Sequence, residues 1–110
     1  MASSLDFVVY ACEQMRGAGT ITYRKMFGEY AFYCEGKVVG LICDNQVFVK
    51  HTADGEKLLA NAQLAPPYEG AKPHILLEAL DDQEFLAAFI SATCAALPMP
   101  KPKKKNTVRG

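Results

Sequence analysis

The sequence predicts an α+β fold: an antiparallel sheet of four to five strands in a meander, packed against long N-terminal and C-terminal helices, with a short helix between them. Three features carry that expectation. Apolar residues recur at helical spacing near both ends, the spacing falls to two between residues 20 and 50, and turn-forming residues cut that middle stretch into short runs. Helices segregated from strands, with no βαβ alternation, place the chain in the α+β class.

The first helix is expected to begin at Ser3, whose hydroxyl would accept from a first-turn N–H while Asp6 faces the positive end of the helix dipole. Leu5, Val8, Val9, Cys12 and Met15 then form one apolar stripe, and Gly17 and Gly19 stop the helix.

From Thr20 the β-branched and aromatic content predicts a strand, with Ile21, Tyr23 and Lys25 on one face and Thr22, Arg24 and Met26 on the other. Gly28 interrupts it as a bend or bulge. A second strand follows over residues 29–34, a turn at Glu35-Gly36-Lys37, and a run over 38–43 that is apolar on both faces, marking the central, doubly covered strand. Asp44-Asn45 makes the next hairpin, because Asx residues tolerate positive φ, and a strand over 46–50 closes the meander.

Asp54 is positioned to cap a short helix over 56–62, with Leu58 and Leu59 docking it on the sheet edge. Pro66, Pro67, Gly70 and Pro73 make residues 63–73 a loop, and Ile75 and Leu77 mark a last strand over 74–79. The final helix, over 81–97, carries a capping-box pattern at Asp81 and Glu84 and one apolar face of Phe85, Leu86, Phe89, Ile90, Thr93, Cys94 and Leu97. Pro98 and Pro100 end it.

At 110 residues, half of them apolar, the chain has the size of one globular domain, here residues 1–97, followed by a basic and flexible tail over 98–110. Its formal net charge of zero hides an uneven distribution. Lys101, Lys103, Lys104, Lys105 and Arg109 put +5 on the tail, and the 7 basic and 12 acidic residues before it put −5 on the body. No apolar run approaches the about 20 residues that cross a bilayer. An acid close to the start, with no basic region before it, argues against a signal peptide, so a cytoplasmic location with no membrane partner is expected. Cys12, Cys34, Cys43 and Cys94 are widely spaced, form no CxxC pair and fall inside apolar patterns, which reads as reduced, packed thiols. A turn centred on Gly36 holds Cys34 and Cys43 far apart along the ladder. His51 and His74 do not complete a metal site, so neither a metal nor another cofactor is expected.

The most distinctive stretch is Arg24-Lys25-Met26-Phe27-Gly28, followed by an aromatic strand, the Gly36 turn, Val39-Gly40-Leu41 and a strand ending Phe48-Val49-Lys50. In these residues, and in the order of its elements, the chain resembles the N-terminal domain of the TfoX/Sxy family, named for regulators of natural competence in bacteria. The resemblance implies an α+β domain and a role in transcriptional regulation through protein partners, either a transcription factor or the transcription machinery itself.

Two cations beside two large apolar groups suggest a partner-binding site made by Arg24, Lys25, Met26, Phe27 and Gly28, with Tyr30 and Lys50 contributing from the neighbouring strands. The bland alternative has Met26 and Phe27 plugging the core and Arg24 pairing with Glu29. Lys50, His51, Asp54 and Glu56 have no serine or cysteine nucleophile tied to them by spacing, so they read as a solvated loop, and a non-enzymatic protein is expected. The glycines make no GxGxxG or GxxxxGK loop. A competing expectation is direct nucleic-acid binding through the tail cations Lys101, Lys103, Lys104, Lys105 and Arg109 together with Arg24 and Lys25. A third is a small ligand-binding domain, which requires a deep pocket, for example beside Lys50 and Tyr68.

Overall fold

Three two-residue turns set the register of the sheet. Phe27-Gly28, Glu35-Gly36 and Asp44-Asn45 all have both residues at positive φ, between 52° and 81°. This left-handed pair matches the twist of antiparallel strands and joins them with no residues to spare. The computed structural model describes residues 3–59 and 63–98, and in it the turns connect β1 (Ile21–Met26), β2 (Glu29–Cys34), β3 (Lys37–Cys43) and β4 (Gln46–Val49). Gly28 is therefore the second residue of a hairpin turn, with Met26 facing Glu29 across it, rather than an isolated bend or bulge. β3 begins at Lys37, which faces Cys34, so the second turn is one residue shorter than expected.

The chain then forms α2 (Ala53–Leu58), β5 (Leu64–Ala65), β6 (His74–Leu77) and α3 (Gln83–Ala96), after an opening α1 (Leu5–Gln14) and a single 3-10 turn at Arg16–Ala18. The sheet has six antiparallel strands in the order β1-β2-β3-β4-β6-β5. The additional strand, β5, lies in the stretch expected to be loop throughout. Leu64 and Ala65 precede the first proline and so keep the donors that pair them with Ile75 and His74.

Both long helices cover one face of the sheet. Val8, Ala11, Cys12 and Met15 of α1 and Leu86, Phe89, Ile90 and Cys94 of α3 join Phe32, Cys34, Val39, Ile42, Val47, Val49, Ile75 and Leu77 in one core. The register of β2 against β3 slips between Phe32 and Tyr33, and Val39 falls in that bulge and points into the core. Gly40 has to lack a side chain, because a Cβ there would meet the Phe32 ring at 2.7 Å.

The stripe of α1 differs from the expected one. Leu5 and Val9 are exposed, and Ala11 replaces them in the contact, so the buried set follows i, i+3, i+4, i+7 from Val8. Helix caps also move by one or two residues. Ser4, not Ser3, caps α1 by accepting from Phe7 N–H at 3.2 Å; Thr52, not Asp54, caps α2 through Gly55 N–H; and Asp82, not Asp81, caps α3 through Phe85 N–H at 3.1 Å. α2 packs on α3, with Leu59 reaching the core and Leu58 left exposed. Residues 60–62, the end of the expected helix, lie outside the described residues. The C-terminal carbonyls of α3 are met by Lys37, whose Nζ donates to Cys94 O and Leu97 O, both at 2.9 Å. A cation placed on a helix C-terminus is favoured by the helix dipole as well as by the hydrogen bonds. Among the described residues no helix is long and apolar enough to cross a membrane.

Candidate functional site

Across the sheet, Ala31, Leu41, Phe48 and Leu76 stand opposite one another on the face away from the helices. Ala31 and Phe48 are buried there without belonging to the main core. The proline-containing segment after β5 covers part of this face. Pro67 is buried, and with Tyr68 it forms one wall of a groove of about 580 Å3 whose other walls are Met26, Phe27, Glu29, Tyr30, Leu41, Cys43 and Asp44. The groove is open rather than enclosed. Phe27 is 99% exposed, Tyr68 61% and Met26 40%.

The turn at the rim of this groove belongs to the sequence's most distinctive segment. Met26 and Phe27 do not plug the core, and among the described residues Arg24 makes no ion pair; the one ion pair among them joins His51 Nε2 to Glu56 Oε1 of α2 at 2.7 Å, both side chains being exposed. Phe27 is the first residue of the hairpin turn and stands beyond the ends of β1 and β2, with its ring open to solvent. Consecutive strand residues alternate faces, so Arg24, opposite Ala31, lies on the face of the groove, and Lys25, opposite Tyr30, on the helix face. Tyr30 is half-buried, packs on the core and meets Tyr23 edge-on at 6.0 Å between ring centroids.

Glu29 is engaged elsewhere. Its Oε1 accepts from Ser3 N–H at 2.9 Å and its Oε2 from Asp44 N–H at 2.8 Å. Partial burial pushes the carboxyl upward, but those two N–H donors and the Ser3 hydroxyl outweigh it and hold Glu29 below its ordinary value. Ser4 N–H donates to Asn45 Oδ1, and Asn45 N–H to Ser3 Oγ, each at 2.9 Å, so the start of α1 is fastened to the β3–β4 turn.

Lys50 does not join the site. It follows β4 at the opposite end of the sheet, with its N–H on Val39 O, and lines a separate shallow hollow with Tyr33, Lys37, Val38 and Leu97. Lys50 and Tyr68 therefore share no pocket. The tail cations Lys101, Lys103, Lys104, Lys105 and Arg109 lie outside the described residues.

No thiol at the site is activated. Burial, opposed by Arg16, pushes Cys12 up to about 11. Burial, followed by the hydrogen bond with Cys94, pushes Cys34 up to about 12. Cys43, which lines the groove, is raised by burial and then by the charges of Glu29 and Asp44. All three stay protonated at neutral pH, whereas a nucleophilic cysteine needs its value lowered. Among the described residues no three of His, Cys, Asp or Glu converge as metal ligands.

The family model for the TfoX N-terminal domain matches residues 13–97. The chain belongs to that family. It is also 33% identical over 108 residues, 97% of this chain and 94% of the other, to the "Uncharacterized 12.7 kDa protein in trpE 5′ region" of Spirochaeta aurantia. The matched span of this TfoX N-terminal domain holds the whole sheet, α2 and α3, and with them the β1–β2 hairpin and both walls of the groove. Pro67, Leu41 and Asp44 were missed as site residues in this TfoX domain's sequence, and Tyr68 was expected only in a ligand pocket shared with Lys50. The available signal was a proline pair between two strands, which keeps a loop close to the sheet, but nothing local says which face it crosses.

Proposed function

We propose that this chain is a non-enzymatic regulatory domain that acts in the cytoplasm by protein interaction. It presents the Met26-Phe27 turn and the adjoining groove to a protein partner, a transcription factor or a component of the transcription machinery, in keeping with the competence regulators for which the family is named. The observation that carries this reading is Phe27. A phenylalanine that is 99% exposed and held at φ 53° is unfavourable on both counts, because it loses hydrophobic burial and occupies a conformation suited to Asn or Gly. Such a residue is best explained by a surface that becomes buried when a partner arrives.

Further support comes from what surrounds the turn. Met26, Leu41, Pro67 and Tyr68 supply an apolar floor and rim, and the cysteine of the groove is protonated. The carboxylate of Glu29 is committed to the N–H groups of Ser3 and Asp44 and is not free for acid–base work.

The test compares immobilised wild type, Phe27→Ser and Leu58→Ser, the last changing an exposed leucine on α2. A specific protein retained by wild type and Leu58→Ser but lost from Phe27→Ser is expected; identical retention by all three overturns the reading. A duplex-DNA titration at two salt concentrations, with the full chain and with a chain cut after Leu97, distinguishes the nucleic-acid alternative that the five tail cations favour. Tight, salt-sensitive binding confined to the full chain would replace the protein partner with DNA.

A further inference from the structure

We infer that β1 is a docking edge for an extended acidic segment of the partner, which adds to the sheet as a seventh strand and carries the pattern apolar–acid–acid–apolar. This rests on the protein-partner reading above and specifies how the partner is held.

β1 is an outer strand of the sheet, paired along its full length with β2 on one side only. Which of its backbone groups face outward follows from the turn. In a two-residue hairpin the flanking pair, Met26 and Glu29, exchanges both hydrogen bonds, and bonded pairs then alternate along the strand. Glu35 N–H on Thr20 O, at 3.0 Å, keeps the same phase at the far end. Even-numbered residues of β1 therefore bond to β2, and Ile21, Tyr23 and Lys25 turn their N–H and C=O groups outward. Among the described residues nothing bonds to them.

The occupant is set by charge. Arg24 and Lys25 are both exposed, free of ion pairs among the described residues, and on opposite faces of the same edge. Because they point apart, they cannot close on one phosphate. On an added strand, however, the residues opposite them are consecutive, and each of those side chains shares the face of its cation. Two adjacent carboxylates satisfy both. The residues on either side of that pair fall opposite Tyr23 and Met26, both partly exposed, and so are apolar. Running the strand in the other direction leaves the pattern unchanged.

The same charges exclude two nearer occupants. A second copy can pair only by setting outward residues opposite outward residues, and with Tyr23 opposite Tyr23 this brings the Arg24 side chains of the two copies diagonal to each other on the groove face. The chain's own tail, with five cations and no acid after Pro98, carries the wrong sign. Cations on an open edge are a known defence against self-pairing; here they also select the partner.

The experiment titrates the full chain with a ten-residue peptide centred on Val-Glu-Glu-Val, at about 10 mM salt where the Debye length is about 30 Å. A Val-Lys-Lys-Val peptide serves as control, and amide NMR with hydrogen exchange is the readout. Slowed exchange at Ile21, Tyr23 and Lys25 is expected, with little change at the already bonded Thr22, Arg24 and Met26. Arg24→Ala/Lys25→Ala should weaken the acidic peptide about tenfold or more, the sum of two exposed charge contacts. Arg24→Glu/Lys25→Glu should reverse the preference to the lysine peptide. Absence of binding by wild type, or binding without protection of the three outward amides, overturns the edge inference. If the amide shifts instead centre on Met26, Phe27 and Tyr68, the edge inference fails while the groove reading stands. Partner capture retained in Phe27→Ser, alongside peptide binding that protects the three outward amides, does the reverse.

Discussion

The Phe27-Gly28 and Asp44-Asn45 turns lie at the same end of the sheet and share one left-handed backbone conformation, yet they are built for opposite purposes. Asp44 and Asn45 are residue types that adopt positive φ readily, and their turn is fastened to Ser3, Ser4 and Glu29 by three hydrogen bonds. Phe27 is a residue type that resists the same conformation, and its ring faces solvent. Where residue, conformation and contacts agree, a turn serves the fold; where they conflict in the open, the side chain is retained for something outside it.

The largest effect tests the platform beneath both turns. Phe89 is fully buried on α3 and stacks on Phe85 with centroids 5.4 Å apart. Phe89→Ala is expected to cost about 3–5 kcal/mol in urea unfolding. A loss below about 1 kcal/mol would mean that α3 does not support the helix face, and neither turn could then be treated as fixed.

The next effect separates the two turns. Glu29→Ala removes the acceptor of two N–H groups and should lower stability by about 1.5–3 kcal/mol, as expected for hydrogen bonds to a charged group that is only partly buried. The sign with pH follows from the lowered carboxyl. The contribution is complete above the unfolded value of about 4.3 and is lost as pH falls through the lower folded value. Wild type should therefore lose stability in that acid window more steeply than Glu29→Gln, which carries no titrating group there. Equal slopes would show that the fastened turn does not depend on the carboxylate.

How much of this was legible in the sequence differs between the two regions. The strands of the meander, the apolar face of α3 and the exposed cations followed from period and composition, because each is a local pattern repeated several times. The caps slipped between adjacent candidates, Ser3 with Ser4 and Asp81 with Asp82, since neighbouring residues of the same chemistry compete for one position. Glu29 had only Arg24 as a suggested partner, and Lys37 had none. Glu29 is 26 residues from Ser3, and Lys37 is 57 from Cys94, so their partners are defined only when the sheet and helices come together. The groove fails for the same reason, since Tyr68 and Phe27 come to line it together through the fold and not through spacing. Lys50 was expected to contribute to the site from a neighbouring strand, but strand direction carries it to the other end of the sheet.

The smallest expected effect has the opposite sign and decides the comparison. Phe27→Asn puts into the turn a residue suited to φ 53°, and the ring it removes is 99% exposed, so almost no burial is lost. Left-handed backbone costs an ordinary residue roughly 1–2 kcal/mol, and Asn recovers part of that, which predicts a gain of about 0.5–1 kcal/mol in urea unfolding. The same substitution should abolish capture of the partner that wild type retains. Greater stability together with lost binding would show that Phe27 is kept at the expense of the fold. A loss of stability would mean instead that the ring rests on the groove wall, near Met26 and Tyr68, and that this turn serves the fold as its neighbour does.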